Sequence, residues 1–191
     1  MNTYVVLLRG VNVGGKNIIS MAALRSALEG LGFSNVASYI ASGNLIVDSK
    51  KSAAATKDAI EGLLADKFGV GRDSARALVL TQADLEAVVK KTPRGFGTDP
   101  GKFHSDVVFL IGLDARKALK VFSPRDGVDT VWPGPGVVYS QRLSAQRTKS
   151  RLNRIMGTPE YRSMTIRTWN TTLKLLEILK GRSEAARRPG G

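Results

Sequence analysis

The stretch 36-VASYIASGNLIVDS-49 decides how the N-terminal half folds. Two short β-type runs, 36–40 and 45–49, flank Ala41, Ser42, Gly43 and Asn44, a turn-forming cluster that closes a tight hairpin and makes the runs antiparallel. Upstream, 3-TYVVLLR-9 is an apolar run with the length of a buried strand. Ser20 then stands as an N-cap before Met21, Leu24, Leu28 and Leu31 at helical spacing, and Gly32 sits where that helix stops. Downstream, Ile60, Leu63, Leu64 and Phe68 mark one face of a second helix over about 53–67, and 76-RALVLT-81 is a further strand. The order strand, helix, strand, strand, helix, strand is that of a ferredoxin-like βαββαβ subdomain, an antiparallel sheet with helices packed on it.

The second half repeats this order with little residue identity. Residues 106-DVVFLIG-112 form a strand, Asp114 caps a short helix to about Phe122, and 129-DTVWP-133 and 137-VVYSQ-141 flank the turn Gly134, Pro135, Gly136. Helical residues around 149–156, a strand at 164-MTIRT-168 and an amphipathic helix over 169–180 complete the set. The expected fold class is α+β, with two ferredoxin-like subdomains in one chain. Residues 1–82 form the first, 83–104 a helix and a Gly/Pro-rich linker, 105–180 the second, and 181–191 a disordered tail.

With 42% hydrophobic and 24% charged residues the chain has the composition of a globular protein. No apolar run spans a bilayer, so the expected location is the cytoplasm, with no membrane partner. The chain has no cysteine, which removes thiolate nucleophiles, disulfides and iron–sulfur ligation. Its one histidine, His104, falls in a glycine-rich segment expected to be mobile, a poor foundation for a serine triad. Neither a metal nor a cofactor is expected. The net charge of +13 is concentrated late: residues 91–191 carry nineteen Lys/Arg against eight Asp/Glu. Within 142–174 only Glu160 opposes eight basic residues, a field that attracts polyanions or phosphorylated small molecules.

Gly10 to Lys16 fits the glycine and lysine spacing of a phosphate-binding loop and follows a strand. The rest of that motif's context is missing. Its lysine belongs at the start of the helix, whereas the N-cap here is Ser20, and Asn17 lacks the hydroxyl that binds magnesium. The hairpin at 36–49 also conflicts with the parallel sheet of such enzymes. What Gly14 and Gly15 allow instead is an anion nest of converging N–H groups, with Arg9, Asn12, Lys16 and Asn17 as side-chain donors.

The N-terminal run LLRGVNVGGKNIISMAALRSALEGLGFSNVASYIASGN, together with TIRTWNTTLKLLEI near the C-terminus, resembles the uncharacterised bacterial family named domain of unknown function 1697. The resemblance spans about residues 3–180, implies two ferredoxin-like subdomains and brings no established activity. That family's Arg-Asn-Trp-Asn-Thr signature stands here as Arg167, Thr168, Trp169, Asn170, Thr171, with Thr168 as the departure. Thr168 or Asn170 is expected to cap the last helix, and Arg167 offers a planar fork suited to phosphate or carboxylate.

The expected site is one ligand-facing surface built from Arg9, Asn12, Gly14, Gly15, Lys16, Asn17, the turn Ser42, Gly43, Asn44, and Arg167, Trp169 and Asn170. The leading function is anion binding, with nucleic acid or a phosphorylated metabolite as partner and Trp169, Tyr39 or Phe96, where exposed, as stacking platforms. A small enzyme using Asp48, Asp106, Asp129 or Lys16 as acid or base, and a noncatalytic assembly module, are the competing classes. A monomer or weak homodimer is expected.

Overall fold

Strand β1 (Asn2–Arg9) points Tyr4, Val6 and Leu8 to one side and Val5 and Leu7 to the other, and all five are buried. A computed structural model describes residues 1–12, 17–41 and 43–187, so Gly14, Gly15, Lys16 and Ser42 lie outside the described residues. Helix α1 (Met21–Gly30) starts at Ser20, whose hydroxyl accepts from the Ala23 N–H at 3.4 Å. The phosphate-loop context therefore fails as the sequence suggests, because the N-cap Ser20 falls four residues after Lys16.

The hairpin forms from β2 (Ser34–Tyr39) and β3 (Asn44–Ser49). Its turn needs Gly43: the backbone there has φ +73°, and a Cβ would come within 2.9 Å of Leu8 Cβ. Asn44 is buried and donates to the Tyr39 carbonyl at 3.0 Å. Helix α2 (Ala53–Phe68) is capped by Ser52, buries Thr56, Ile60 and Leu64 at four-residue spacing, and ends on left-handed Gly69 before β4 (Arg76–Leu80). The strands order as β2-β3-β1-β4, all neighbours antiparallel. Leu24, Leu28, Ile60 and Leu64 close the core over Val6, Leu8, Leu45 and Val47.

After α3 (Gln82–Lys90) the second set runs β5 (Phe103–Leu110), α4 (Ala115–Leu119), β6 (Asp129–Gly134), β7 (Val137–Leu143), β8 (Met164–Thr168) and α5 (Trp169–Arg187). Its order, β6-β7-β5-β8, is again antiparallel throughout, so the chain is α+β with two four-stranded antiparallel sheets. Asp114 caps α4 as expected, accepting from the N–H groups of Arg116 and Lys117.

Three expectations are corrected. First, β5 begins at Phe103 because Phe103, His104 and Ser105 pair with Leu143, Arg142 and Gln141, which places His104 on a strand and not in a mobile linker. Second, the helical residues near 149–156 belong to three 3-10 turns, Ser144–Lys149, Leu152–Gly157 and Pro159–Ser163. Buried Leu152 and Ile155 are three apart, the period of that tighter helix, and Pro159 cannot continue a longer one. Third, α5 continues to Arg187 where a disordered tail was expected from 181, anchored by Ser183 on Gln82 at 2.7 Å and by Arg182 beside Asp48.

The chain divides into two compact units, Met1–Leu85 with the chain from Leu175 onward, and Glu86–Lys174. The final helix thus contributes to both units and is not wholly part of the second. Among the described residues no helix is long and apolar enough to cross a membrane.

Candidate functional site

Thr168 is the N-cap of α5: its hydroxyl oxygen accepts from the Thr171 N–H at 3.2 Å. The amides of Trp169 and Asn170, in the first turn, have no carbonyl one turn earlier in the helix to reach, and the Asn170 side chain is exposed. Around this turn lies a cleft of about 170 Å³, lined by Thr168, Trp169 and Asn170 on one side and by Gly97, Pro100 and residues 103–105 on the other.

Close backbone approach makes the cleft wall. Gly97 has φ +71°, and a Cβ at that position would overlap the indole of Trp169. The half-buried Trp169 ring meets Phe96 edge-on, with centroids 5.3 Å apart, and Phe96 meets Tyr139 in the same way at 5.1 Å. The Tyr139 hydroxyl donates to the Val88 carbonyl at 2.6 Å, and burial pushes its phenol up to about 12. Phe96 is therefore a buried wedge, and the expectation that it stacks on a base is corrected.

The cleft floor is tied to β7 through one side chain. The buried Gln141 carbonyl accepts from Ser105 Oγ at 3.0 Å and from the Gly97 N–H at 3.2 Å. Ser105 still has acceptor lone pairs, so the floor presents a hydroxyl oxygen. His104 is 43% exposed at the side chain, and its Nε2 lies 3.1 Å from Asp106 Oδ1. Arg142, opposite His104 in the ladder, places Nη1 3.6 Å from Asp106 Oδ2. Burial pushes the Asp106 carboxyl above its ordinary value, against the opposing pull of His104 and Arg142. Asp129 shows the reverse balance: burial raises it, but the Arg151 N–H, the Ser150 hydroxyl, the Arg125 N–H and the Arg142 charge together bring it below the usual range.

Arg167 is 7% exposed and donates through Nη1 to Thr165 Oγ1 at 2.9 Å and to the Ile166 carbonyl at 2.8 Å. Burial brings its guanidinium down to about 10. Its fork is held in the protein interior.

The family profile described as "Protein of unknown function (DUF1697)" matches residues 1–139. The chain belongs to this family. The match runs from β1 into β7, while the run 167–171 lies beyond it. Among solved structures, the conserved bacterial protein SP0830 from Streptococcus pneumoniae is similar, with 29% sequence identity, a TM-score of 0.79, and coverage of 93% of this chain and 98% of that one. No curated protein matches.

The residues expected to share one surface fall in both units. Arg9, Asn12, Asn17, Gly43 and Asn44 belong to the first, and Arg167, Trp169 and Asn170 to the second. In the first unit the amides hold backbone. Asn12 donates to the carbonyls of Ile19 and Ala41 and accepts from the Ile19 N–H, while Asn17 donates to the Gly10 carbonyl at 2.9 Å. Both take positive φ, which asparagine tolerates better than most side chains. In the second unit Trp169 and Asn170 do share the cleft, with His104, Ser105 and Gly97 as members that sequence reading missed. The missed signal is the strand period through 103-FHSD-106, which the neighbouring Gly/Pro-rich run disguises as loop.

Proposed function

We propose that this family member is an anion-binding protein, built from two ferredoxin-like subdomains, that takes the phosphoryl or carboxylate group of a small metabolite at the start of α5. The observation that carries the reading is the cleft itself, where the first-turn amides of a 19-residue helix, the Asn170 side chain and the His104 imidazole surround one space beside a Gly97 wall. Its volume of about 170 Å³ suits a single phosphorylated or carboxylated group better than a large cofactor. A second reading, nucleic acid, is favoured by exposed Arg147, Lys149, Arg154 and Arg162 on and around the 3-10 turns.

The test follows backbone amide resonances while inorganic phosphate and ribose 5-phosphate are titrated into wild type and Asn170→Asp. Saturable shifts at Trp169, Asn170 and Ser105, abolished by the introduced carboxylate, are the expected result. Absence of saturable shifts at those residues removes the cleft reading. If labelled single-stranded RNA binds with a salt slope reduced by about 1 in Arg154→Ala or Arg162→Ala and unchanged in Asn170→Asp, the polyanion reading replaces it.

A further inference from the structure

In the first unit, the sheet face opposite α1 and α2 presents a carboxylate fixed from two strands. Thr3 of β1 and Ser34 of β2 both register against Asp48 of β3. Asp48 Oδ1 accepts from Thr3 Oγ1 at 2.7 Å, and Oδ2 accepts from Asn35 Nδ2 at 2.6 Å. Asn35 reaches this position because β2 shifts register between Ser34 and Ala37 and Asn35 adopts φ +48°. A bulge that re-aims a side chain, held in a left-handed conformation, is a device found beside binding sites.

Facing the carboxylate stand Arg182 and Ala185, nearly one helical turn apart on α5, and with Thr3, Asn35 and Asp48 they line a cavity of about 500 Å³. Arg182 Nη1 is shut off from water and has no hydrogen-bond acceptor. The Asp48 Oδ1 atom is 3.9 Å away, an ion-pair distance too long for a hydrogen bond. A buried guanidinium N–H without an acceptor is unfavourable, and the Arg182 side chain, 25% exposed, lines a space large enough for a small molecule.

We propose that this cavity binds a small zwitterion of the α-amino acid class, with its carboxylate on Arg182 and its ammonium on Asp48. The charged lining sums to zero. A simple anion meets repulsion from Asp48 and a simple cation meets repulsion from Arg182, whereas a dipolar ligand is attracted at both ends. Each Asp48 oxygen has accepted one hydrogen bond from the protein and has capacity for another, and the partly exposed Arg182 side chain supplies the complementary charge. Thr3 and Ala185 complete the lining, and the volume leaves room for the side chain of an amino acid. The site is separate from the cleft at the start of α5 and does not rest on the anion reading of that cleft.

Calorimetric titration of the full chain tests this with L-leucine, leucinamide, which lacks the carboxylate, and N-acetyl-L-leucine, which lacks the ammonium. Wild type is compared with Arg182→Gln and Asp48→Asn, each first checked for cooperative unfolding. Arg182→Gln carries the comparison if loss of the Asp48 hydrogen bonds prevents folding of the other variant. Saturable binding of L-leucine, at least about tenfold weaker for either derivative and in Arg182→Gln, is the expected outcome. Equal or tighter binding of N-acetyl-L-leucine or leucinamide overturns the proposal in favour of a simple ion site. Unchanged affinity in Arg182→Gln, or no saturable heat with any of a panel of L-amino acids, also overturns it.

Discussion

Single residues set the shape of the cleft in the second unit, and each can be tested alone. Gly97→Ala forces both a Cβ into the Trp169 indole and a positive φ onto alanine. Urea unfolding followed by tryptophan fluorescence is expected to show a loss of about 1–3 kcal/mol, with a changed native emission spectrum. Tyr139→Phe removes the hydrogen bond to Val88 and is expected to cost about 1–2 kcal/mol at neutral pH. It also removes an alkaline liability. The folded state holds the phenolic proton more tightly than the unfolded chain, so this contribution is intact below pH 10 and lost as pH climbs through about 12. Wild type is therefore expected to lose about 2–3 kcal/mol across that window that the phenylalanine variant does not. Asp106 works the same way at acid pH. Its raised carboxyl favours the folded state below the ordinary carboxylate range, and that contribution disappears as pH rises through the folded value. Asp106→Asn should compare more favourably with wild type at pH 7 than at pH 4, as read by thermal unfolding at both.

At the scale of elements, what was legible was what local chemistry dictates. Ser20 and Asp114 each begin a helix with a side-chain cap, and Gly43 and Asn44 mark the hairpin turn. What was not legible depended on partners remote in sequence. The first three residues of β5 look like linker until Leu143, Arg142 and Gln141 pair with them, and with that pairing His104 and Ser105 become site residues. The turns over 144–163 lack a continuous apolar stripe, and their geometry depends on Asp129. Its Oδ2 accepts from the Arg125 N–H at 3.0 Å and from the Arg151 N–H at 2.8 Å, joining the approach to β6 with the 3-10 segment. Because its carboxyl is lowered in the folded protein, this stabilisation is present above the unfolded carboxyl value and lost as pH falls through the folded one. Asp129→Ala is expected to cost about 2–4 kcal/mol at pH 7 and to shrink toward no difference in acid. Faster hydrogen exchange at Arg125 and Arg151 would accompany it.

Across the whole chain, the two units repeat one strand order but complete it differently: the first uses two full α-helices between its strands, and the second replaces one of them with 3-10 turns. The first unit also recruits the chain from Leu175 onward. A chain stopped after Lys174 is therefore expected to lose protection throughout β1 to β4, measured by amide hydrogen exchange. Preserved protection there would mean that the first unit folds without the end of α5. The shared helix has a consequence for biosynthesis. Residues 1–85 are translated first, yet the segment carrying Arg182 and Ser183 follows only after all of Glu86–Lys174 has been made. Translation order and folding order thus part company: the half of the protein that leaves the ribosome earliest is the half completed last, and its Asp48 face stays open for the whole interval.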